Sequence, residues 1–361
     1  METIGKGLRD NFDWALFGTV ATIAVIGVTN LYSATSASSE ALSELYIQQI
    51  YWLTLGAGVA VLIVAIDYRH FERFGYIAYG VGIVALVLVF LVAPEIRGSQ
   101  RWIKIGNFSL QPSEMMKIVL IVALAKYLHN DPKTDGRTLK DLVIPGLILT
   151  VPMALILAQP DLGTGLMLAF IFGSIMLLTN LKLRSLGALT AAFVISAPLT
   201  WTYLLKGYQQ DRLTSFWNPE ADLLDSGWHA HQSIVAIGSG GLWGKGFMQG
   251  TQNQHRFLPD QHTDFPFPVW AEEQGFLGVA LLFFLYIFLI LWGLKVASQA
   301  KDRFGAVVAV GVSAFFFWHT IINLGMVSGL APVVGVTLPL FSYGGSSVMT
   351  SMMGIGLLMN V

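Results

Sequence analysis

The chain has 361 residues, 54% of them hydrophobic and 12% charged, with a mean hydropathy of +0.63. That balance is far too apolar for a soluble protein of this length and indicates a polytopic membrane protein. A net charge of −1 offers no global basic field to recruit nucleic acid, and the absence of cysteine excludes disulfides and thiolate metal sites.

Lys6, Arg9 and Asp10 precede an apolar run that starts near Trp14. The run continues past signal-peptide length and lacks a persuasive small-residue cleavage site, so it reads as a retained first span. Against the roughly 17–25 residues a spanning helix needs, ten segments qualify: about 13–33, 47–66, 74–93, 112–129, 140–158, 162–180, 184–205, 267–294, 304–325 and 338–360. The expected fold is therefore all-α and polytopic, with about ten transmembrane helices. A long extracytoplasmic loop, about 206–266, lies between the seventh and eighth. Pro339 and Gly344-Gly345 interrupt the last span. An even count puts both termini on one side, and 13 of the 21 Lys and Arg residues fall there. The positive-inside rule then makes both termini cytoplasmic and turns the long loop outward. No period of 20–50 residues and no heptad appears, so residues 1–361 are expected to form a single membrane domain.

Polar residues gather on the expected outer face. Arg97-Gly98-Ser99-Gln100-Arg101-Trp102-Ile103-Lys104 places three cations there against the usual bias. They suit an anionic ligand such as a diphosphate, or interfacial snorkelling beside Trp102. In Gln111-Pro112-Ser113-Glu114-Met115-Met116-Lys117, Pro112 suits a helix start, and the i, i+3 spacing pairs Glu114 with Lys117. That pair is either structural or faces a site. Asp161, in Gln159-Pro160-Asp161-Leu162-Gly163-Thr164, caps the sixth helix or serves a site.

In the long loop, Gly238-Ser239-Gly240-Gly241-Leu242-Trp243-Gly244-Lys245-Gly246 invites a phosphate-loop reading. Ser239 stands where that motif needs its first Gly and Gly246 where it needs Ser or Thr, so a nucleotide site is rejected. The glycines serve either ordinary turns or the approach of backbone amides to an anion. His229, His231, His255, His262 and Asp264 match no metal-protease spacing. A divalent cation (Mg or Mn) bridging Asp264 and a substrate diphosphate is the better metal expectation, with no organic cofactor.

The stretch from Phe257 to Phe265 is polar, acidic and His-containing, yet runs directly into an apolar segment. Asp264 reads on residue chemistry alone either as a helix cap or as a functional carboxylate at the membrane surface, and Glu272 and Glu273 as residues favouring a first helical turn. Late in the chain, Asn323 and the run from Pro332 to Ser347 bring backbone breaks and hydroxyls to membrane depth, where they line a cavity or pack small residues between helices.

Together these pieces resemble the SEDS family (shape, elongation, division and sporulation) of peptidoglycan glycosyltransferases, from Trp14 to the C-terminus. Five ordered motifs carry the likeness: Gly98-Ser99-Gln100-Arg101-Trp102, Gln111-Pro112-Ser113-Glu114, Gln159 to Thr164, Leu258-Pro259 with His262-Thr263-Asp264-Phe265, and Leu338-Pro339 with Ser342-Tyr343-Gly344-Gly345-Ser346. Gly244-Lys245-Gly246 with Gly250-Thr251-Gln252, and Asn323 to Gly329 with Pro332 to Gly335, look like the rod-elongation (RodA) type rather than the division (FtsW) type. Two departures stand out. Pro266 and Pro268 replace plain aliphatics, which predicts extended Phe265 and Phe267 and a later start to the eighth helix, and Thr337 stands where the RodA type commonly has Pro.

The resemblance implies a ten-helix enzyme that polymerises lipid II on the outer face of the bacterial cytoplasmic membrane. It implies Asp264 as the catalytic residue and Glu114 with Lys117 as a pair lining a central cavity. Arg101, Asp161, Lys245 and the turn Ser342-Tyr343-Gly344-Gly345 carry over as motif positions. Arg101, Lys104 or Lys245 would stabilise a departing diphosphate. The implied partners are lipid II, the growing glycan strand, a class B penicillin-binding protein and other elongation-complex membrane proteins. A lipid II flippase is the rival reading, because a polar membrane cavity also suits a transporter. The outward concentration of polar motifs favours the enzyme over the flippase. A non-catalytic scaffold gives no reason for acids and bases to converge.

Overall fold

The computed structural model describes residues 12–36, 44–95, 100–106, 108–131, 133, 136–179, 181–199, 201–202, 207–217, 226–255, 257 and 261–361. Lys6, Arg9, Asp10, Arg97, Gly98, Ser99, Lys206, Arg256, Leu258, Pro259 and the His229 side chain lie outside the described residues. The elements in order are α1 (Trp14–Ser36), α2 (Leu45–Ala65), α3 (Tyr68–Val92), a hairpin of β1 (Ile103–Ile105) and β2 (Phe108–Leu110), α4 (Pro112–Asn130), α5 (Val143–Ala158), α6 (Leu162–Leu177), α7 (Leu183–Leu199), α8 (Gly207–Trp217), α9 (Ser226–Ser239), α10 (Thr251–Gln254), α11 (Pro266–Gln299), α12 (Arg303–Val327) and α13 (Gly345–Asn360).

Each expected span overlaps a helix among the described residues. Among the described residues six helices are long and apolar enough to cross a membrane: α1, α2, α3, α5 with its preceding turn from Leu139, α11 and α12. The others are shorter or more polar, with 16 residues in α6 and α13 and 17 in α7. The exterior is that of a membrane protein: Leu91, Val61, Ile77 and Phe284 are exposed, whereas Glu114, Lys117, Glu272, His319 and Asn323 are buried. The most apolar window of α12 is 61% buried, against 39% or less in the other five long spans, so α12 is the bundle's central post. It packs on α4, α6, α11 and α13, while α2 lies along α13 and α3 along α4.

Side-chain bonds show which helix ends meet. At one end of the bundle, Asn360 bonds the Ile66 carbonyl at 2.6 Å, the Tyr68 hydroxyl donates to Asp302 at 2.8 Å, and Trp292 bonds Asp13. At the other, the starts of α2, α4, α6, α11 and α13 meet the last turns of α1 and α12 around the polar residues described below.

One expectation about the spans needs correction. The eighth span is not one helix, because α11 breaks at Gly275 (φ 64°, ψ −163°). The Gly-rich loop docks into the break. The amides of Phe276 and Leu277, displaced from the helical ladder, bond the carbonyls of Gly241 and Leu242 at 2.9 and 3.3 Å. The stranded carbonyls of Glu272 and Glu273 accept from the amides of Lys245 and Gly246, each at 3.0 Å. These four bonds satisfy the two amides and two carbonyls that the kink takes out of the helical ladder. A Cβ on Gly240 or Gly244 would stand 2.1 Å from a carbonyl oxygen of α11, so these glycines are packing residues and the two amides are already spent. The tenth span is interrupted where Pro339 and Gly344-Gly345 stand, being helical only from Gly345 onward with residues 338–344 irregular.

Candidate active site

Asp264 is half-buried in the turn 261–264 just before α11. The turn is anchored at three points. Gln261 donates to the Ala34 carbonyl at the end of α1 at 2.7 Å, the Tyr343 amide donates to the His262 carbonyl at 2.8 Å, and Asn323 of α12 donates to the Asp264 carbonyl at 3.0 Å. Asn30 of α1 bonds the Pro266 carbonyl at 2.9 Å, fixing the entry to α11. That helix starts at Pro266 with Phe267 inside it, so the prolines open the helix instead of delaying it. Both stand in the first turn, where an N–H has no intrahelical acceptor to lose, which corrects the expectation of an extended Phe267.

Facing this turn is the irregular segment between α12 and α13, whose buried backbone must find partners off the helices. His319 Nδ1 reaches the Thr337 carbonyl at 3.1 Å, Asn323 the Val336 carbonyl at 2.6 Å and the Tyr286 hydroxyl the Pro339 carbonyl at 2.7 Å. The Ser342 hydroxyl accepts from the Leu338 amide at 2.9 Å, and Gln49 of α2 grips the Ser342 carbonyl at 3.0 Å. Tyr343 reaches Gln48 at 2.7 Å, and the Gly344 amide donates to Gln49. Ser342, Tyr343 and Gly344 thus form a braced turn that holds the Asp264 turn through the Tyr343 amide. Leu340 is strained at φ +67°, a conformation costing a non-glycine residue about 1–2 kcal/mol. Its backbone lies against Gly27, where a Cβ would stand 2.8 Å from the Leu340 carbonyl oxygen.

Behind this surface is a buried polar chain. Lys117 Nζ stands 2.7 Å from Glu114 and 3.0 Å from His319 Nε2, and 5.7 Å from the Phe315 ring centroid. An ammonium only donates, so Nε2 accepts and Nδ1–H donates to Thr337. The imidazole is therefore neutral and links the Glu114–Lys117 pair to the segment beside Asp264. Among the described residues Glu114 Oε2 has no hydrogen-bond partner.

Arg101 does not stand free. It donates to the carbonyls of Gln159 (3.2 Å) and Pro160 and lies 3.8 Å from Asp161. Asp161 caps α6 through the Thr164 amide at 3.2 Å and accepts from Gln111 at 2.9 Å. The Gln111 amide donates to the Ser346 hydroxyl at the start of α13 at 2.8 Å. Gly163 lets the start of α6 reach the irregular segment, since a Cβ there would meet the Val334 carbonyl at 2.7 Å. Lys104 is exposed on β1 opposite Ser109.

Lys245 is engaged within its own loop and by α11. Its ammonium contacts Glu272 at 2.6 Å and Thr251 at 2.8 Å, so two of its three donors serve the loop's own fold. Glu272, 0% exposed, also accepts from Thr251 and the Gln252 amide, and Glu273 accepts from Ser33 at 2.5 Å. These carboxylates clasp loop 245–252 and the end of α1 to α11, a role that helix-start preference did not anticipate. The signal was present in the sequence: two adjacent carboxylates inside an apolar run need partners. His319 was missed in the same way, as an intramembrane imidazole in Trp318-His319-Thr320. Among the described residues no group of three or more His, Asp or Glu side chains could hold a metal ion.

Comparison with known proteins agrees with this architecture. A family profile described as "Cell cycle protein" and covering FtsW, RodA and SpoVE matches residues 13–361. The peptidoglycan glycosyltransferase MrdB of Escherichia coli K12 is 40% identical, over 87% of this chain and 84% of its own. The peptidoglycan glycosyltransferase RodA of Treponema pallidum is 33% identical, over 99% and 98%. Among solved structures, the rod shape determining protein RodA of Thermus thermophilus superposes with a TM-score of 0.71 at 30% identity, covering 97% of this chain and 96% of that one. A chain from work on the structural coordination of polymerization and crosslinking by a peptidoglycan synthase complex gives 0.80 at 31%, covering 96% of each. With a family match across nearly its whole length, and relatives at this identity over most of it, the chain belongs to the FtsW/RodA/SpoVE family.

Proposed function

We propose that this chain is a peptidoglycan glycosyltransferase that polymerises lipid II into glycan strands at the outer face of the bacterial cytoplasmic membrane during cell elongation. The observation that carries the reading is a half-buried carboxylate, Asp264, on a turn anchored at three points at the polar end of an apolar bundle. Relatives bearing the name peptidoglycan glycosyltransferase support it. All ten expected helices cross the membrane in this reading, with both termini cytoplasmic and loop 206–266 outside.

Lipid II presents a GlcNAc 4-hydroxyl as acceptor, and the growing strand presents an anomeric carbon bearing undecaprenyl diphosphate. Asp264 takes the hydroxyl proton as O4 attacks that carbon. The new O4–C1 bond forms while the C1–O bond to the diphosphate breaks, its electron pair leaving with the diphosphate, and the anomeric centre inverts. Lys104, exposed on the hairpin, and Arg101, anchored beside Asp161, are the cations nearest in role to that departing charge, with one donor of Lys245 in support. Glu114 and Lys117 line the interior behind the site. Asp264 offers one carboxylate to a divalent cation such as Mg or Mn, whose other ligands would come from diphosphate and water, and no step above depends on that ion. The partner is a class B penicillin-binding protein that crosslinks the strands, alongside other elongation-complex membrane proteins.

The test is polymerisation of labelled lipid II by the purified chain, alone and with its penicillin-binding protein inactivated in transpeptidation. Wild type is expected to make polymer and Asp264→Asn none, while remaining folded. The buried Glu114–Lys117 pair is the one observation that favours a flippase. Transfer of lipid II across liposome bilayers without polymerisation, indifferent to Asp264, would establish that reading instead.

A further inference from the structure

Asn323 has no role in the chemistry above, yet it is tied directly to Asp264. It lies on α12 one turn beyond His319 and is 0% exposed. Its side-chain amide donates to two backbone carbonyls, those of Asp264 and Val336, at 3.0 and 2.6 Å. Among the described residues its Oδ1 accepts nothing, so both hydrogen bonds of the side chain go to bridging two segments. Neither segment has a ladder of its own: one is the 261–264 turn, the other the run between α12 and α13.

Between these anchors stands Gly335, at φ +71°, where a Cβ would lie 3.3 Å from Asp264 Oδ2. The Asp264 carboxylate therefore rests against a residue that presents no side chain. Asn323 holds the backbone of Asp264 and, through Val336, holds Gly335 beneath its carboxylate. His319 grips the next carbonyl along, Thr337, and so registers the same segment against Lys117.

We infer that Asn323 is a positioning residue for glycosyl transfer, which together with the bare face of Gly335 sets where the Asp264 carboxylate stands. This rests on the reading of Asp264 as the base. A base must be held to within about 0.5 Å of its productive place, and a misplacement of about 1 Å can cost 10²-fold in rate. Asn323→Ala releases the backbone anchor. Gly335→Ala keeps the Asn323 amide group but strains the backbone at φ +71° and puts a methyl group against the carboxylate.

The experiment is steady-state lipid II polymerisation by the full chain with its transpeptidase-inactive partner, for wild type, Asp264→Asn, Asn323→Ala and Gly335→Ala. Both positioning variants are expected to lower kcat by about 10- to 100-fold with KM for lipid II within about 3-fold of wild type. The thermal midpoint in detergent is recorded for each. Rates within about 2-fold of wild type, or a loss carried by KM, would overturn the inference. Should Asn323→Ala fail to fold, Gly335→Ala decides by the same split, and its failure to fold as well marks the contact as structural and overturns the inference. An inactive wild type, or an active Asp264→Asn, overturns the polymerase or base reading itself, a different result from active positioning variants beside an inactive Asp264→Asn.

Discussion

Lys117 shows how much the interior of this bundle depends on single partners. A charge that is 0% exposed is tolerated because Glu114 neutralises it and His319 accepts from it. Glu114→Ala leaves an uncompensated ammonium and is expected to destabilise the protein by about 3–5 kcal/mol. The double variant Glu114→Met with Lys117→Met removes both charges and should recover most of that stability while remaining inactive in polymerisation. Thermal unfolding in detergent beside the lipid II assay separates the two effects. If the double variant is no more stable than Glu114→Ala, the pair is not the source of the loss.

At the scale of elements, glycines decide how closely the segments approach. Gly244 has φ +77° and lies where a Cβ would meet the Glu273 carbonyl oxygen at 2.1 Å. Gly244→Ala should therefore separate the Gly-rich loop from the break in α11, at a cost of about 1–3 kcal/mol from overpacking alone. Faster proteolysis within 240–254 would report the separation. At the opposite end of the bundle, Asp302 caps α12 by accepting from the Gly305 amide and from the Tyr68 hydroxyl, both at 2.8 Å. Burial would raise its pKa, but these two bonds and the nearby cations hold it below the usual carboxylate range. A depressed folded pKa means stability that is present above about pH 4 and is lost as pH falls through the folded value. Wild type should lose more stability below pH 4 than Asp302→Asn does, read as thermal midpoints across pH; parallel curves would remove Asp302 from the acid response.

For the whole molecule, sidedness can be measured directly, because a chain without cysteine accepts single reporter thiols. Trp243 is 77% exposed in the Gly-rich loop at the polar end, and Leu139 is 45% exposed before α5 at the other. On the proposed topology, with both termini cytoplasmic, Trp243→Cys is expected to react with a membrane-impermeant maleimide on intact spheroplasts, and Leu139→Cys only after lysis. The reverse pattern would invert the topology.

Apolar length, Lys and Arg placement and helix punctuation are local properties, so the helices, the start of α4 at Pro112, the cap at Asp161 and the Glu114–Lys117 pairing were all legible in the amino-acid sequence. Asp264 could be singled out there because a carboxylate beside a membrane span is costly wherever it lies. What faces it could not. Asn323, Gly335, His319 and Gln49 are brought to that turn from α2, α12 and the irregular segment, and only tertiary packing decides which carbonyls they satisfy. The same holds for Lys245 and Glu272. Glu272 in its apolar run needed a partner, but nothing in its own stretch named Lys245; they pair because the backbone bonds at the Gly275 break hold the Gly-rich loop on α11. Local chemistry names which groups must find partners, and the fold alone determines which partners they find.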